Sequence, residues 1–530
     1  MSFVQFCGPR LAVFTLLAAF LSATSVHATP PAAPAVTSAA NIKQLQFDWQ
    51  ILPRSNYYEL WFNADNGSAP ARLSEQVPWR PRALTRVSAH LLDWQQARYF
   101  VKACNPSGCG QSAPLGVEDL MFDAVGYFKP SQTRPLGAFG VAMALSEDGQ
   151  TMAVAANGDP STGADLHGTV AVYVFAKSGS QWRQQARLVP NPSHLNNGET
   201  PAISLSGNGN VLALGLLAAD PIGPAPSSVS GSVYVFRRTG TAWIQQQRID
   251  RRPADSFLGY ITRLDETGNT LLVVSASQGG TAKVYKYALG IWNLTGSVPG
   301  PGGGINCNAI TLSGDGLTIA RTCRWPQGTA MKLQLFTGSA WTMSEERPLT
   351  THAPDYEIYE IAASYDAGII AAAEFPTGNE ADRFPSVHVI DRLHGTSDSL
   401  TPYWPCLDQW KSGFGKNLAV SRDGTFIAVS DPADKCVATG SHRFNSGTGP
   451  QATGAVYIYQ HHSSGSWPYR RMLKANNTLV GNENFSGVLA FAENGKTFAV
   501  AQVGDNSAAT GINGDRTDNS KVAAGAVWLY

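Results

Sequence analysis

Charge is scarce in this chain. Asp, Glu, Lys and Arg make up only 15% of its 530 residues, and 39 basic side chains balance 39 acidic ones. With no net field of either sign, nothing gathers a polyanion, and nucleic acid is excluded as an expected partner. Long apolar runs are lacking too. Beyond the N-terminus no segment approaches the ~20 apolar residues that span a bilayer, so no integral membrane segment is expected in the mature chain. The signatures of common catalysis are missing: there is no HExxH, no G-x-S-x-G, no Walker loop and no Cys-x-x-Cys. No residue is nominated as catalytic, and binding is expected ahead of enzymatic activity.

The one apolar run follows Arg10, from Leu11 to Leu21, and leads to Val26-His27-Ala28, a small-x-small site before Thr29. Residues 1–28 therefore read as a secretory signal, and a secreted, periplasmic or cell-surface protein is expected. Of the 7 cysteines, Cys7 leaves with that signal. The other six are expected to form disulfides, as an even count in an exported chain favours. Residues paired across a hairpin are symmetric about its turn. Cys307 and Cys323 are symmetric about the turn at Ser313–Gly316, Cys406 and Cys436 about the start of the turn at Ser421–Gly424, and Cys104 and Cys109 flank Asn105-Pro106-Ser107-Gly108. These three local pairs are the expected pairing among the fifteen that six cysteines allow.

What the chain has in quantity is glycine (52) and proline (32), the residues of tight turns. One turn phrase recurs seven times: SEDG (Ser146–Gly149), SGNG (Ser206–Gly209), DETG (Asp265–Gly268), SGDG (Ser313–Gly316), SYDAG (Ser364–Gly368), SRDG (Ser421–Gly424) and AENG (Ala492–Gly495). From Gly149 to Gly495 the glycines lie 60, 59, 48, 52, 56 and 71 residues apart. Strand-like runs flank each copy, and the first reads as four strands ending in Arg187-Leu188-Val189-Pro190. A period of this length with strand–turn–strand signals predicts an all-β array, a seven-bladed β-propeller over residues 119–530. The last copy stops after its third strand, so residues about 122–130 are expected to supply the missing fourth strand and close the ring. Trp182, Trp243, Trp292, Trp341 and Trp467 follow the third strands and are expected to pack between blades.

Residues 29–118 read as a separate small sandwich. Leu45, Phe47 and Trp49 alternate, Tyr57–Phe62 is a second strand, and Ala97–Ala103 a third. With its early tryptophan, tyrosine-rich strand and terminal YFVKACNPSGCGQS, the segment resembles a fibronectin type III domain, the alternative being another immunoglobulin-like sandwich. From Phe139 onward the repeats resemble the FG-GAP family of integrin α-chain propellers and exported bacterial proteins. The matching residues are Phe139-Gly140, Phe414-Gly415, the Asp-Gly and Asn-Gly turns, and the strands Gly454–Tyr459 and Gly525–Tyr530. That resemblance implies ligand binding rather than catalysis. Integrin-type repeats often carry a D-x-D-x-D-G calcium loop, and no copy here has it.

Three sets of residues stand as candidate sites. Asn513, Asp515, Asp518 and Asn519 crowd oxygen ligands into one loop, either a calcium site or a solvated, turn-rich loop. Tyr403, Trp404 and Trp410 form an aromatic cluster, either a sugar-stacking platform or packing in the fourth strand of the fifth blade. His461-His462 reads as a solvated hairpin tip. The expected function is non-catalytic binding or adhesion to an extracellular or envelope protein or glycan, with no cofactor besides calcium. The alternative is a polysaccharide hydrolase or lyase working at the propeller mouth with carboxylates such as Asp408, Asp431 and Asp434.

Overall fold

The computed structural model describes residues 29–530 except 66–67, 77–78, 158–169, 192–199, 218–230, 251–256, 277–279, 302–304, 325–331, 350–355, 377–383, 402–412, 437–439, 443–448, 450–451 and 476–484. The chain is all-β apart from one short α-helix and one 3-10 turn among these residues. Its first part is two facing sheets. Val36–Asn41, Gln44–Trp49 and Arg82–Arg86 make one; Ala71–Gln76, Tyr57–Asn63, Arg98–Asn105 and Gly108–Gln111 make the other, with Leu115–Gly116 beside Arg98–Asn105. The alternation of Leu45, Phe47 and Trp49 does what a period of two requires: all three are buried against Tyr58, Leu60, Tyr99 and Val101. Cys104 and Cys109 are directly paired residues and are disulfide-bonded.

Among the described residues, seven antiparallel sheets of four or five strands follow in chain order. The first comprises Ala142–Leu145, Thr151–Ala156, Ala171–Ser178 and Gln181–Leu188. The seventh borrows a strand from before the first: Phe485–Ala492, Thr497–Gln502 and Ala526–Leu529 are completed by Gly126–Phe128, with Trp528 opposite Tyr127. The innermost strands contact one another in cyclic order, Ala142–Leu145 touching both Ala202–Leu205 and Phe485–Ala492. Sheets stacked radially in a closed ring constitute a β-propeller. Second strands are buried on both faces and rich in small residues, as in Ala153-Val154-Ala155 and Ala371-Ala372-Ala373, so neighbouring sheets approach closely near the axis. Trp182, Trp292, Trp341 and Trp467 are buried as expected, and Trp243 is half-buried.

Four details differ from expectation. The closing segment is a strand only at Gly126–Phe128, because Glu118–Ala124 is helical. The sixth sheet gains a short fifth strand, Gly440–His442. The fourth strand of the fifth sheet is Thr396–Leu400, upstream of the aromatic cluster. In the fifth turn it is Ala367, with φ 56°, that takes the left-handed position held elsewhere by glycine. Cys307 and Cys323 are disulfide-bonded across the first two strands of the fourth sheet. Cys436 is disulfide-bonded as well, and its expected partner Cys406 lies outside the described residues.

The recurrent turn shows why its sequence recurs. The Ser146 hydroxyl donates to Asp148 Oδ1 (2.5 Å) and accepts the amide of Thr151 (2.9 Å), while Asp148 Oδ1 accepts the amide of Gln150 (2.9 Å). Ser206/Asn208, Ser313/Asp315, Ser364/Asp366 and Ser421/Asp423 repeat the pattern. Gly149 closes the turn at φ 63°. These carboxylates are therefore spent inside their own turns.

A buried Asp–Lys–Tyr group recurs in the last two sheets. Asp505 Oδ1 accepts from Lys129 Nζ (2.7 Å) and the Tyr127 hydroxyl (2.8 Å). Asp434 accepts from Lys474 Nζ (2.7 Å) and the Tyr457 hydroxyl (2.5 Å). Both ion pairs are fully buried. Lys129 ties the borrowed strand to the loop after Thr497–Gln502, so Asp505→Ala would strand a buried ammonium. We expect it to cost about 3–5 kcal/mol in urea unfolding, and a loss below about 1 kcal/mol would show that the pair does not hold the closure.

Candidate functional site

The inner strands of all seven sheets enclose an axial channel of about 730 Å³. Each inner strand runs toward its recurrent turn, so the turns gather at one end. The second residues of six of the phrases line a small cavity there, Glu147, Glu266, Tyr365 and Arg422 together with Gly207 and Gly314, whereas Glu493 of the seventh pairs with Arg86. Glycines at the same position make room: a Cβ on Gly207 would lie 2.6 Å from Glu266 Cγ, and one on Gly314 would lie 2.8 Å from the Tyr365 ring. Arg422 Nη2 reaches Glu266 Oε2 at 2.8 Å, and its guanidinium lies 4.0 Å from the Tyr365 ring centre. This pair spans from the third turn to the sixth, across the axis, and constricts that end. Glu147 is half-buried, and that burial pushes its carboxyl up to about 7.

The opposite end is built differently. Register shifts interrupt the inner strand of the third sheet between Leu258 and Ile261, and that of the fifth between Ile358 and Glu360. A bulge leaves the extra residue outside the ladder and re-aims its side chain. Tyr260 and Tyr359 are such residues; both line the channel and are 44% and 49% exposed. Lys416 Nζ lies 5.8 Å from the Tyr359 ring, and Arg263 faces Glu360 at 3.9 Å. Burial raises the Glu360 carboxyl, with Arg263 opposing the shift. The channel thus has a constricted acidic–basic end and an open end lined by tyrosines and cations.

A third cluster joins two sheets at their outer side. Asp391 ends the third strand of the fifth sheet, and His461 follows that of the sixth, Ala455–Gln460. Asp391 Oδ2 lies 2.6 Å from His394 Nδ1 and 3.2 Å from His461 Nε2. His461 is stacked on Trp467 at 4.8 Å, so it is not a solvated tip; His462 is exposed and contacts Ser464.

The expected sites fare unevenly. Tyr403, Trp404, Trp410 and Asp408 lie outside the described residues. Asn513, Asp515, Asp518 and Asn519 share a loop whose hydrogen bonds they supply. Asn513 Oδ1 accepts the Tyr127 amide, Asp515 accepts from Thr517, Asp518 accepts the Ala508 and Ser520 amides, and Asn519 donates to the Thr517 carbonyl. Asp434 is held by Lys474 and Tyr457, and Asp431 accepts the Gly413 and Ala433 amides, so neither reaches the channel mouth as an acid. The channel residues were missed because each stands at the variable position of a motif or in a bulge. Aligning the seven phrases and reading their second residues together would have found Glu147, Glu266 and Arg422.

The Glu147 carboxyl sets a test. Its ordinary value is 4.5, and the fold raises it to about 7. The charged form is disfavoured in the folded chain, so stability falls as pH climbs from about 4.5 through about 7. Glu147→Gln mimics the protonated form. We expect its melting temperature to match the parent at pH 4.5 and to exceed it progressively up to pH 7 and beyond; parallel curves would refute the assignment.

No protein-family model matches the chain, and no curated protein matches it. Solved structures do. A β-propeller domain of Myceliophteria thermophila Cps50 (Swd1) aligns at TM-score 0.44 and 10% identity, over 76% of this chain and 98% of that one. A chain of the mitotic checkpoint complex aligns at 0.41 and 12% identity, over 71% and 90%. Saccharomyces cerevisiae Sqt1 aligns at 0.40 and 10% identity, over 71% and 82%. The propeller architecture stands on the sheet order and the cyclic inner-strand contacts described above.

Proposed function

We propose that this chain is an exported, non-catalytic binding protein. Residues 1–28 are its signal, 29–118 a fibronectin type III-like sandwich, and 119–530 a seven-bladed propeller of FG-GAP type. The open end of the propeller and the loops around it present the contact surface to an extracellular or envelope protein or to a glycan. The observation that carries this reading is the pair of bulges that turn Tyr260 and Tyr359 into the channel beside Lys416. Exposed tyrosines on a rigid concave wall offer large contact area at small entropic cost, and they stack equally on peptide groups and on the apolar faces of sugars. The inner strands of the first and second sheets join the ring without such a shift.

A second reading, a polysaccharide hydrolase or lyase, draws on Glu147 and Glu266 in one cavity and on the raised Glu147 carboxyl. It is weakened by Arg422, which already occupies Glu266.

The test is a binding screen of the mature chain against a glycan array, together with a pull-down from cell envelopes. Tyr260→Ala and Tyr359→Ala change exposed side chains and should leave the melting temperature within about 2 °C, since surface changes usually cost under about 0.5 kcal/mol. We expect each to weaken ligand binding at least about tenfold, a typical anchor loss of about 1.4 kcal/mol. Binding that survives both changes would remove the open end as the site. Release of reducing sugar from a bound glycan, abolished in Glu147→Gln, would instead support the enzyme.

A further inference from the structure

We propose that Asp391, His394 and His461 form a site for a divalent transition metal, zinc above all, that staples the fifth and sixth sheets together. The three ligand atoms lie within 4.8 Å of one another. They come from two sheets: Asp391 and His394 from the turn after Ser386–Asp391, His461 from the matching turn after Ala455–Gln460.

The surroundings of each ligand fit a metal better than a plain hydrogen-bond network. The Asp391 carboxylate is almost completely buried. Its Oδ1 accepts the amides of Leu393 and His394, both at 3.0 Å, which leaves Oδ2 as the atom turned to the two imidazoles. His461 Nε2 is buried and makes no hydrogen bond, although Oδ2 is only 3.2 Å away. A buried ring nitrogen left in this state calls for a partner, and a cation between Nε2 and Oδ2 supplies it. Stacking on Trp467 fixes the His461 ring in that direction. This is how support around a ligand holds it in place for a metal.

One of the separations already matches tetrahedral geometry. Ligand atoms about 2.0–2.2 Å from zinc stand roughly 3.3 Å apart, close to the 3.2 Å between Asp391 and His461. Asp391 and His394 are closer, at 2.6 Å, which fits a shared proton. The His394 side chain is 55% exposed and can change rotamer to complete the coordination as the metal replaces that proton. Its exposure also leaves an entry path and open coordination positions on the solvent side. Two imidazoles and one carboxylate select a borderline transition metal over calcium or magnesium, which prefer sets of oxygens.

The test uses the full mature chain, stripped with a chelator. Titration calorimetry with zinc chloride should give one ion per chain at micromolar affinity or better, and zinc should raise the melting temperature. His394→Ala removes an exposed ligand, and circular dichroism confirms its fold. It should lower zinc affinity at least tenfold, as should His461→Gln. Crystals grown with zinc should show an anomalous peak within bonding distance of Asp391 Oδ2 and His461 Nε2. Absence of stoichiometric binding, parental affinity in both variants, or an anomalous peak elsewhere would each overturn the proposal.

Discussion

The whole molecule depends on a belt of main-chain hydrogen bonds between the recurrent turns. The Glu147 amide donates to the Gly207 carbonyl, Asn208 to Glu266, Glu266 to Gly314, Asp315 to Tyr365, Tyr365 to Arg422 and Glu493 to Glu147. Sheet ladders satisfy amides within a sheet, but they say nothing about how one sheet sits against the next. These bonds do, because each fixes the azimuth of a turn relative to its neighbour. Five of the turns are shaped by a Ser hydroxyl and an Asp or Asn side chain, and in the third the Asp265 carboxylate takes the place of the hydroxyl by accepting the Asn269 and Thr270 amides. The selective value of the motif is therefore geometric. A charged residue two positions into a strand-end turn looks like a ligand, and here it is a template for the backbone.

A ring made this way must also be closed, and closure is where buried charge appears. The seventh sheet takes Gly126–Phe128 as its outer strand, so the two ends of the array meet within one sheet. Strand exchange alone would allow register slips. Lys129 answers this by reaching Asp505 from the position directly after the strand, and only one register permits it. The sandwich then docks on the closed sheets through Lys43, which donates to the main-chain oxygens of Lys496 (2.6 Å) and Tyr530 (3.1 Å). Arg86 pairs with Glu493, and His90 Nε2 meets the Gly495 carbonyl at 2.8 Å. Burial lowers Lys43 to about 7 and His90 to about 3, so this interface strongly disfavours added protons. Its apolar residues run continuously into the last two sheets, from Trp94 and Met121 to Phe426 and Trp528.

How much of this was legible follows from the range of each interaction. Turn chemistry is confined to six residues, so the repeats, the hairpin disulfide at Cys307–Cys323 and the borrowed strand could all be read. Lys129 and Lys474 both reach a buried aspartate from the end of a fourth strand, a pairing that no local motif announces. Ala367 shows the limit of reading by residue type: the eye followed Gly368, and the chain put alanine in the left-handed position. The fifth sheet shows another. Thr396–Leu400 is a short polar strand with no aromatic to announce it, and the conspicuous aromatics after it drew the assignment downstream. His461 joins Asp391 because equivalent turns of adjacent sheets touch, a relation visible only once the repeats are superposed. Docking through main-chain oxygens leaves no trace in side-chain pattern at all.

The two ends of the channel then divide the work. The belt requires the turns to crowd together, and their second residues fill the axis with Arg422 and Glu266 locked in a mutual pair. Any ligand entering there would have to break that pair and strip water from charges already satisfied, which is costly. Among the described residues the opposite end is tied less regularly, by main-chain bonds such as Phe139 to Ala524 and Phe485 to Thr453. In the inner strands the described register shifts all fall toward that end, away from the turns whose amides the belt needs. The same constraint that makes one end rigid and closed thus leaves the other as the place where Tyr260 and Tyr359 can be turned toward a partner. The contact surface proposed above lies at the end that this geometry leaves free of the Arg422–Glu266 pair.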